Sequence, residues 1–447
     1  MSDTHLRPQG WSRRSILKAG VGLGAAGLTG LSLGSSAFAA DGNLSFMQFI
    51  GPNGPSKTQS EWIVQLVDAW NSANDAKITL DYVPDSEYIG GTKLATSFAS
   101  GQGPDVFLIS PGDFLRYYNG GVLTDLSPHI DAAAQADFPE TVIANRKVDG
   151  KIYGIPMEVE PMAFYYSVKA FEDAGLNEND VPKTWDELLE VGKKLTTADR
   201  YGLLFETQPG YYQNFTWYPF MWQGGGEFQQ ADGKSAFDSP ATVAALKLWQ
   251  DAVASGAAPR QALGGGGSDI AANLASGYCA IQNMGIWGIS DLANNAPDFK
   301  YGVFRLPVPA GGKYVTVGGG WAFVANAKGK NPEAAAKFIA WALASMSKES
   351  IDRVVDWCTV AKSDMPPRNS ALKAGAAAFD KGMLGVFNRE IHPGTRAEPR
   401  LPPEVYKMIS DAIQGTMLGG TDPQQAAATA SQQIDAFLAS YKGAPLL

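Results

Sequence analysis

The sequence predicts an α/β protein built as two domains. Strand-like and helix-like segments alternate from Leu44 to Ile109, the signature of helices packed on a sheet. Helix-start signals then recur as far as Pro423. Behind a leader-like start the chain runs for about four hundred residues, more than one core ordinarily holds.

The elements follow in order. Leu44 to Ile50 is a strand-like run, broken by Gly51-Pro52-Asn53-Gly54-Pro55. Ile63, Leu66, Val67 and Trp70 fall on one helical face. Ile78, Leu80 and Tyr82 alternate as a strand. A helix around Glu87 to Ser100 leads through Gly101-Gln102-Gly103-Pro104 into Val106-Phe107-Leu108-Ile109, apolar throughout as in a strand covered on both faces. Thr184 with Glu187 forms a capping box. Ser239-Pro240, Asn331-Pro332 and Asp422-Pro423 each set a capping residue before a first-turn proline. Gly264 to Gly267 reads as a mobile loop; Ser268-Asp269 after it excludes a phosphate-binding loop.

Ser12-Arg13-Arg14-Ser15-Ile16-Leu17-Lys18, a Gly-diluted apolar run and Ala37-Phe38-Ala39 read as a twin-arginine export signal over residues 1–39. The run is too weakly apolar for a spanning helix. Arg7, Arg13, Arg14 and Lys18 against Asp3 leave with it, taking the formal charge from -9 to -12. An acidic mature chain argues against nucleic acid and anionic membranes as partners. Cys279 and Cys358 are the two cysteines; they could pair in an oxidising compartment, or stay as buried thiols. Neither stands beside the cleavage site as a lipid anchor would, so the expectation is a periplasmic protein without membrane insertion. No histidine or cysteine spacing suits a metal.

Several segments then carry a resemblance. They include Gly103-Pro104-Asp105-Val106, Gly121-Val122-Leu123-Thr124-Asp125-Leu126, Tyr153-Gly154-Ile155-Pro156, and Tyr165-Tyr166-Ser167-Val168-Lys169-Ala170-Phe171-Glu172-Asp173-Ala174-Gly175-Leu176. Pro182 to Leu188, Met284-Gly285-Ile286-Trp287, Gly318-Gly319-Gly320-Trp321, Asn331 to Ala335 and Pro366-Pro367-Arg368-Asn369-Ser370 follow. In order and spacing the chain resembles the sugar-binding solute-binding proteins of ABC transporters, the group of maltose- and glycerol-phosphate-binding proteins. The resemblance implies a two-lobe periplasmic binding protein fold with a hinge, each lobe a mixed sheet flanked by helices and discontinuous in sequence. It places 40–156 with 304–346 in one lobe and 157–303 with 347–447 in the other. The chain would cross after Tyr153 to Pro156, return near Phe304 to Pro309, and cross again near Ser347. It further implies a carbohydrate held between the lobes by closure, an ABC permease in the inner membrane as partner, a monomer, no cofactor and no catalysis.

A sugar site needs carboxylates and amides for hydroxyls and flat rings for C–H faces. Eleven tryptophans and sixteen tyrosines are available. Asp113 follows the Val106–Ile109 strand, at the carboxyl end where open sheets bind ligands; it could instead cap a helix, and the resemblance favours the ligand role. Glu158 and Glu160 flank Val159 in an apolar run, a costly place for carboxylates without partners; a solvated hinge face is the alternative, and the resemblance matches the sugar-binding glutamate to Glu160. It matches the stacking tryptophan to Trp287. Trp321 follows Gly320, where a ligand can approach the backbone, although a strand-core role is open to it. Trp217, in the cluster Tyr211, Tyr212, Trp217, Tyr218 and Trp222, offers a second platform. Asn53 and Gln48 are polar candidates. Arg368 is undecided between an anionic ligand group and none; His392, Arg396 and Arg400 are read as facing solvent. Tyr165-Tyr166, which could suggest ferric iron, is read as core.

Two rivals remain. A solute of another kind, such as glycerol phosphate or a polyamine, could use the same fold; an anion would need Arg368, Arg396 and Arg400. An exported glycoside hydrolase would need two carboxylates flanking one bond, and no hydrolase motif is present.

Overall fold

Val106, Phe107, Leu108 and Ile109 are all buried, because this strand lies inside its sheet and beneath packed helices. In the computed structural model, which describes residues 43–52, 57–89 and 92–447, the strands are β1 (Leu44–Gln48), β2 (Ile78–Tyr82), β3 (Val106–Ile109), β4 (Lys147–Val148), β5 (Lys151–Ile152), β6 (Ile155–Pro156), β7 (Glu160–Ser167), β8 (Tyr201–Leu204), β9 (Cys279–Gly285), β10 (Tyr301–Phe304), β11 (Thr316–Gly319), β12 (Ala322–Ala325) and β13 (Thr395–Ala397). The expected export signal lies outside the described residues.

Two mixed sheets organise these strands, apart from β4 and β5, which pair only with each other. The first has the order β2-β1-β3-β12-β6, with β1, β2 and β3 parallel and β12 antiparallel to β3 and β6. The second has the order β13-β11-β7-β9-β8, and β10 also pairs with β7. Each sheet carries its own core. Phe46, Phe107, Phe323 and Phe338 pack together in the first, and Phe164, Phe205, Phe220 and Trp249 in the second. A smaller cluster around Tyr165, Met284 and Phe387 covers the other face of β7 and β9.

The local signals explain several of the helices. Lys57–Ala73 buries Ile63, Leu66, Val67 and Trp70. Both halves of the Thr184–Glu187 capping box form. Ser239, Asn331 and Asp422 each accept a hydrogen bond from an amide of their own first turn. One helix around 87–100 is replaced by two, Asp85–Tyr88 and Lys93–Ala99; the sequence between them contains Gly90-Gly91, poor helix material. Residues 264–267 are tied down at Gly267. Gly267 N donates to Glu206 Oε2 at 2.9 Å, and its carbonyl accepts from Gln282 Nε2 at 2.8 Å.

The passages between sheets differ from the expected boundaries. The first falls after β6. The return does not fall at 304–309, because β10 and β11 both belong to the second sheet; it falls at Gly320-Trp321, between β11 and β12. Residues beyond Ser347 do not leave the first core either: Val354, Trp357, Cys358, Ala361, Ala371 and Phe379 all pack in it. Helix Lys348–Asp356 is amphipathic and finds its apolar partner there rather than on the second sheet. Cys279 and Cys358 are free and buried, one in the smaller cluster and the other in the first core.

Candidate functional site

Three backbone segments run side by side where the chain passes between the sheets. Met157 N donates to Trp321 O at 2.9 Å, Val159 N to Met365 O at 2.8 Å, and Met365 N to Val159 O at 3.1 Å. The first segment joins β6 to β7, the second joins β11 to β12, and the third, Lys362–Met365, lies between Ala361 and Ala371 of the first core and reaches the smaller cluster at Met365. Gly320 adopts φ +117°, and a Cβ there would stand 2.5 Å from the Glu158 carbonyl oxygen. No side chain fits that approach.

An ionic cluster fills the middle of this bundle. Lys362 Nζ lies 3.0 Å from Glu158 Oε2 and 3.0 Å from Asp364 Oδ2, and it also bonds Glu160 Oε1. Glu158 is fully buried; it accepts from Trp357 Nε1 at 2.6 Å and from Trp321 N at 3.2 Å. Burial raises the Glu158 pKa, but Lys362 and the hydrogen bonds from Asp364 and Trp357 outweigh it and hold the group low. Burial dominates at Glu160, which is pushed up to about 7 with Lys362 opposing. It also keeps Asp364 well above the carboxylate range. For Lys362, burial is overcome by the three carboxylates, which keep the ammonium charged. These carboxylates lie within 4.8 Å of one another, as metal ligands would. The Lys362 ammonium already stands among them.

Half-buried rings flank the crossover on both sides. Trp321 sits at the Met157 end, its ring 4.7 Å from that of Phe49. At the other end, Ile286 N donates to Pro161 O at 3.0 Å, which brings Trp287 beside Glu160. The Trp287 ring lies over Gly285, where a Cβ would overlap it, and 6.2 Å from Tyr212. Glycine at 285 is what allows the ring to lie against the strand.

Further carboxylates converge here. Asp113 lies in the first turn of helix Pro111–Asn119, whose N-cap is Ser110, so it is not itself the cap. A methyl group on Gly112 would stand 3.2 Å from Tyr211 Cδ2 and 3.3 Å from Glu398 Oε1, and one on Gly319 would be 2.9 Å from Glu398 Oε2. Bare backbone of helix Pro111–Asn119 and of β11 thus makes room for Glu398, which is 2% exposed. Burial lifts Glu398 to about 8, opposed by Arg146 and reinforced by Glu160 and Asp113. Asp291, in the helix that begins after Trp287, is pushed up to about 7 by burial, with Lys362 opposing.

The candidates read from the sequence separate clearly in position. Glu158, Glu160, Gly320, Trp321, Trp287 and Asp113 come together around the crossover. Asn53 lies outside the described residues. Gln48 is fully buried at the end of β1, where its Oε1 accepts from Ile50 N. Trp217 is fully buried in the second core, 5.8 Å from Phe237; helix Tyr211–Gln223 is enclosed nearly all round, and Tyr211 and Tyr212 at its start are the half-exposed rings. Arg368 is 1% exposed and fully engaged by Asp137 at 2.7 Å and the carbonyls of Leu343 and Ser345. Arg400 is buried rather than solvent-facing, and bonds the carbonyls of Lys147 and Pro445. Arg396 pairs with Glu227 at 2.6 Å on the surface. Tyr165 is core, its hydroxyl donating to Gly285 O at 2.9 Å.

Sequence reasoning missed Glu398, Arg146, Lys362, Asp364 and Asp291. Lys362 and Asp364, each beside an apolar run, carried the same signal of costly burial that singled out Glu158 and Glu160. Glu398 in Arg396-Ala397-Glu398-Pro399-Arg400 carried none. A cavity of about 820 Å³ lined by Tyr118, Tyr153, Tyr441 and the tail at Lys442 to Pro445 shares no residue with this site.

Two mixed sheets joined through a narrow bundle of crossings, with rings and carboxylates gathered beside it, define a protein that holds a solute rather than transforms one. The chain belongs to the bacterial extracellular solute-binding protein family, whose model matches residues 54–349. A putative binding protein of Brucella abortus is 24% identical over 418 residues, covering 92% of this chain and 97% of the relative. The cyclic alpha-maltosyl-1,6-maltose binding protein of Arthrobacter globiformis has a similar fold, with TM-score 0.70, 24% identity, and coverage of 89% of this chain and 98% of that one. A Thermotoga lettingae ABC transporter solute-binding protein bound with alpha-D-tagatose gives TM-score 0.76 at 23% identity, covering 89% and 99%.

Proposed function

We propose that the chain is the substrate-binding component of an ABC sugar importer, capturing a di- or oligosaccharide by closure about the three crossings and delivering it to an inner-membrane permease. The observation that carries this reading is the pair of half-buried rings, Trp287 and Trp321, at opposite ends of one short crossover, with the carboxyls of Asp113 and Glu160 gathered nearby. Rings at the two ends suit apolar faces of more than one sugar unit, and carboxylates accept from hydroxyls in fixed geometry. The protein acts as a monomer in the periplasm, reached by the twin-arginine route with a mature start near Ala40.

The charge inventory speaks against an anionic solute. Arg368, Arg396 and Arg400 are each bonded to partners of their own, and the cleft groups that lack a cation are acidic. Titration calorimetry with Trp287→Ala and Asp113→Ala tests the site. Both variants weaken saccharide binding in a folded protein; unchanged affinity in both removes the assignment.

A further inference from the structure

The carboxyl of Glu398 poses a problem that the saccharide reading alone does not solve. It is 2% exposed, and its Oε1 has no hydrogen-bond partner. No cation bonds this oxygen. The terminal nitrogens of Arg146 donate to the carbonyls of Val142 and Gly320 and to Asn145 Oδ1, and its Nε makes no hydrogen bond. Lys362 is enclosed by Glu158, Glu160 and Asp364. Arg116 lies 3.6 Å from Asp113 but on the surface. The Tyr212 hydroxyl, on the same helix turn as Tyr211, is also buried and without a partner. A donor and an acceptor are thus both unsatisfied beside one half-buried aromatic patch.

We propose that the solute carries a protonated amine, and that Glu398, with Glu160 and Asp113 around the Tyr211 ring, forms the subsite for that nitrogen. The proposal rests on the saccharide reading above and narrows it to basic saccharides, those bearing a free amino group. An ammonium donates up to three hydrogen bonds and its charge favours the ionised form of these carboxyls, whereas a hydroxyl donates one and carries no charge. The face of the Tyr211 ring adds attraction for a cation. Burial is also what raises Glu398, Glu160 and Asp113 above their ordinary values, against the opposing charges of Arg146, Lys362 and Arg116.

The test is titration calorimetry of the exported protein at neutral pH with β-1,4-linked glucosamine dimers and trimers, their N-acetylated counterparts, and spermidine. The amine forms bind about tenfold or more tightly than the N-acetyl forms, the increment of one charge-assisted hydrogen bond. Glu398→Gln, which keeps the shape, narrows that ratio to about threefold or less; Asp113→Asn, nearer the surface, narrows it independently if the first variant folds poorly. Equal or tighter binding of the N-acetylated sugars overturns the amine subsite and leaves the saccharide reading intact. Binding of spermidine with no saccharide keeps the amine subsite and removes the saccharide reading. A ratio unmoved in both variants, or binding by none of the amines, overturns the proposal.

Discussion

Lys362 Nζ stands 3.0 Å from Glu158 Oε2, and the two residues come from different passages between the sheets. The ammonium is therefore a rivet through the crossing bundle, and Glu158 holds the Trp321 amide and the Trp357 indole in place around it. Glu158 positions the site; its carboxylate is already occupied. Lys362→Met leaves buried carboxylates without their cation and destabilises the fold by about 3–5 kcal/mol. Urea denaturation at pH 7 measures this, and a loss within about 0.5 kcal/mol, as at an ordinary surface site, contradicts it.

Two tryptophans offered as platforms divide by position. Trp217 is enclosed in the second core, so Trp217→Ala costs about 3–5 kcal/mol of stability. Trp287 is half-buried at the crossover, so Trp287→Ala lowers saccharide affinity with a much smaller change in denaturation midpoint. A ligand affinity lost in proportion to stability at both positions contradicts the distinction.

Gly320 gives a sharper test of the crossing geometry. Its φ of +117° and the 2.5 Å approach to the Glu158 carbonyl leave no room for a methyl group. Gly320→Ala lowers stability by about 1–3 kcal/mol and weakens binding, because the strained segment carries Trp321. A variant with wild-type melting temperature contradicts the close approach.

The pH dependence has a defined sign. Glu398 titrates at about 8 and Glu160 at about 7, against an ordinary value of 4.5; Asp291 titrates at about 7 against 3.8. Each folded carboxyl retains a proton that the unfolded chain has released, so stability falls as pH rises from about 5 to about 8. Arg146, Glu160 and Asp113 face Glu398; Lys362 and Glu158 face Glu160; Lys362 and Asp269 face Asp291. Calorimetric melting of the free protein follows the decline, and Glu398→Gln flattens its upper part. A melting temperature that climbs across this window contradicts the assignment.

Export is tested by cell fractionation. Replacing Arg13 and Arg14 with lysine leaves uncleaved precursor in the cytoplasm if the twin-arginine reading holds. Unimpaired arrival of mature protein in the periplasm contradicts it.

Much of the fold was legible because its signals are local. Val106–Ile109 announced a covered strand, and Thr184, Ser239, Asn331 and Asp422 announced their helices. Glu158 and Glu160 stood out by charge in an apolar run. The passages between sheets were not legible: 304–319 and 347–379 are ordinary strand and helix sequence, and only packing assigns β11 to the second sheet and Trp357 to the first core. The tetraglycine misled for a related reason, since composition alone does not reveal that Glu206 and Gln282 hold it. Glu398 was invisible because its role depends on Gly112 and Gly319, far from it in sequence.

The most direct test of the central claim is a thermal-shift screen of the exported protein against saccharides, sugar acids and phosphates, polyamines and amino acids. A ligand at a hundred times its Kd stabilises a fold by about 2.7 kcal/mol. Stabilisation by di- or oligosaccharides, lost in Trp287→Ala, is the expected result. Stabilisation confined to phosphates or sugar acids would contradict the account, because acidic groups outnumber basic ones among the described residues of this cleft.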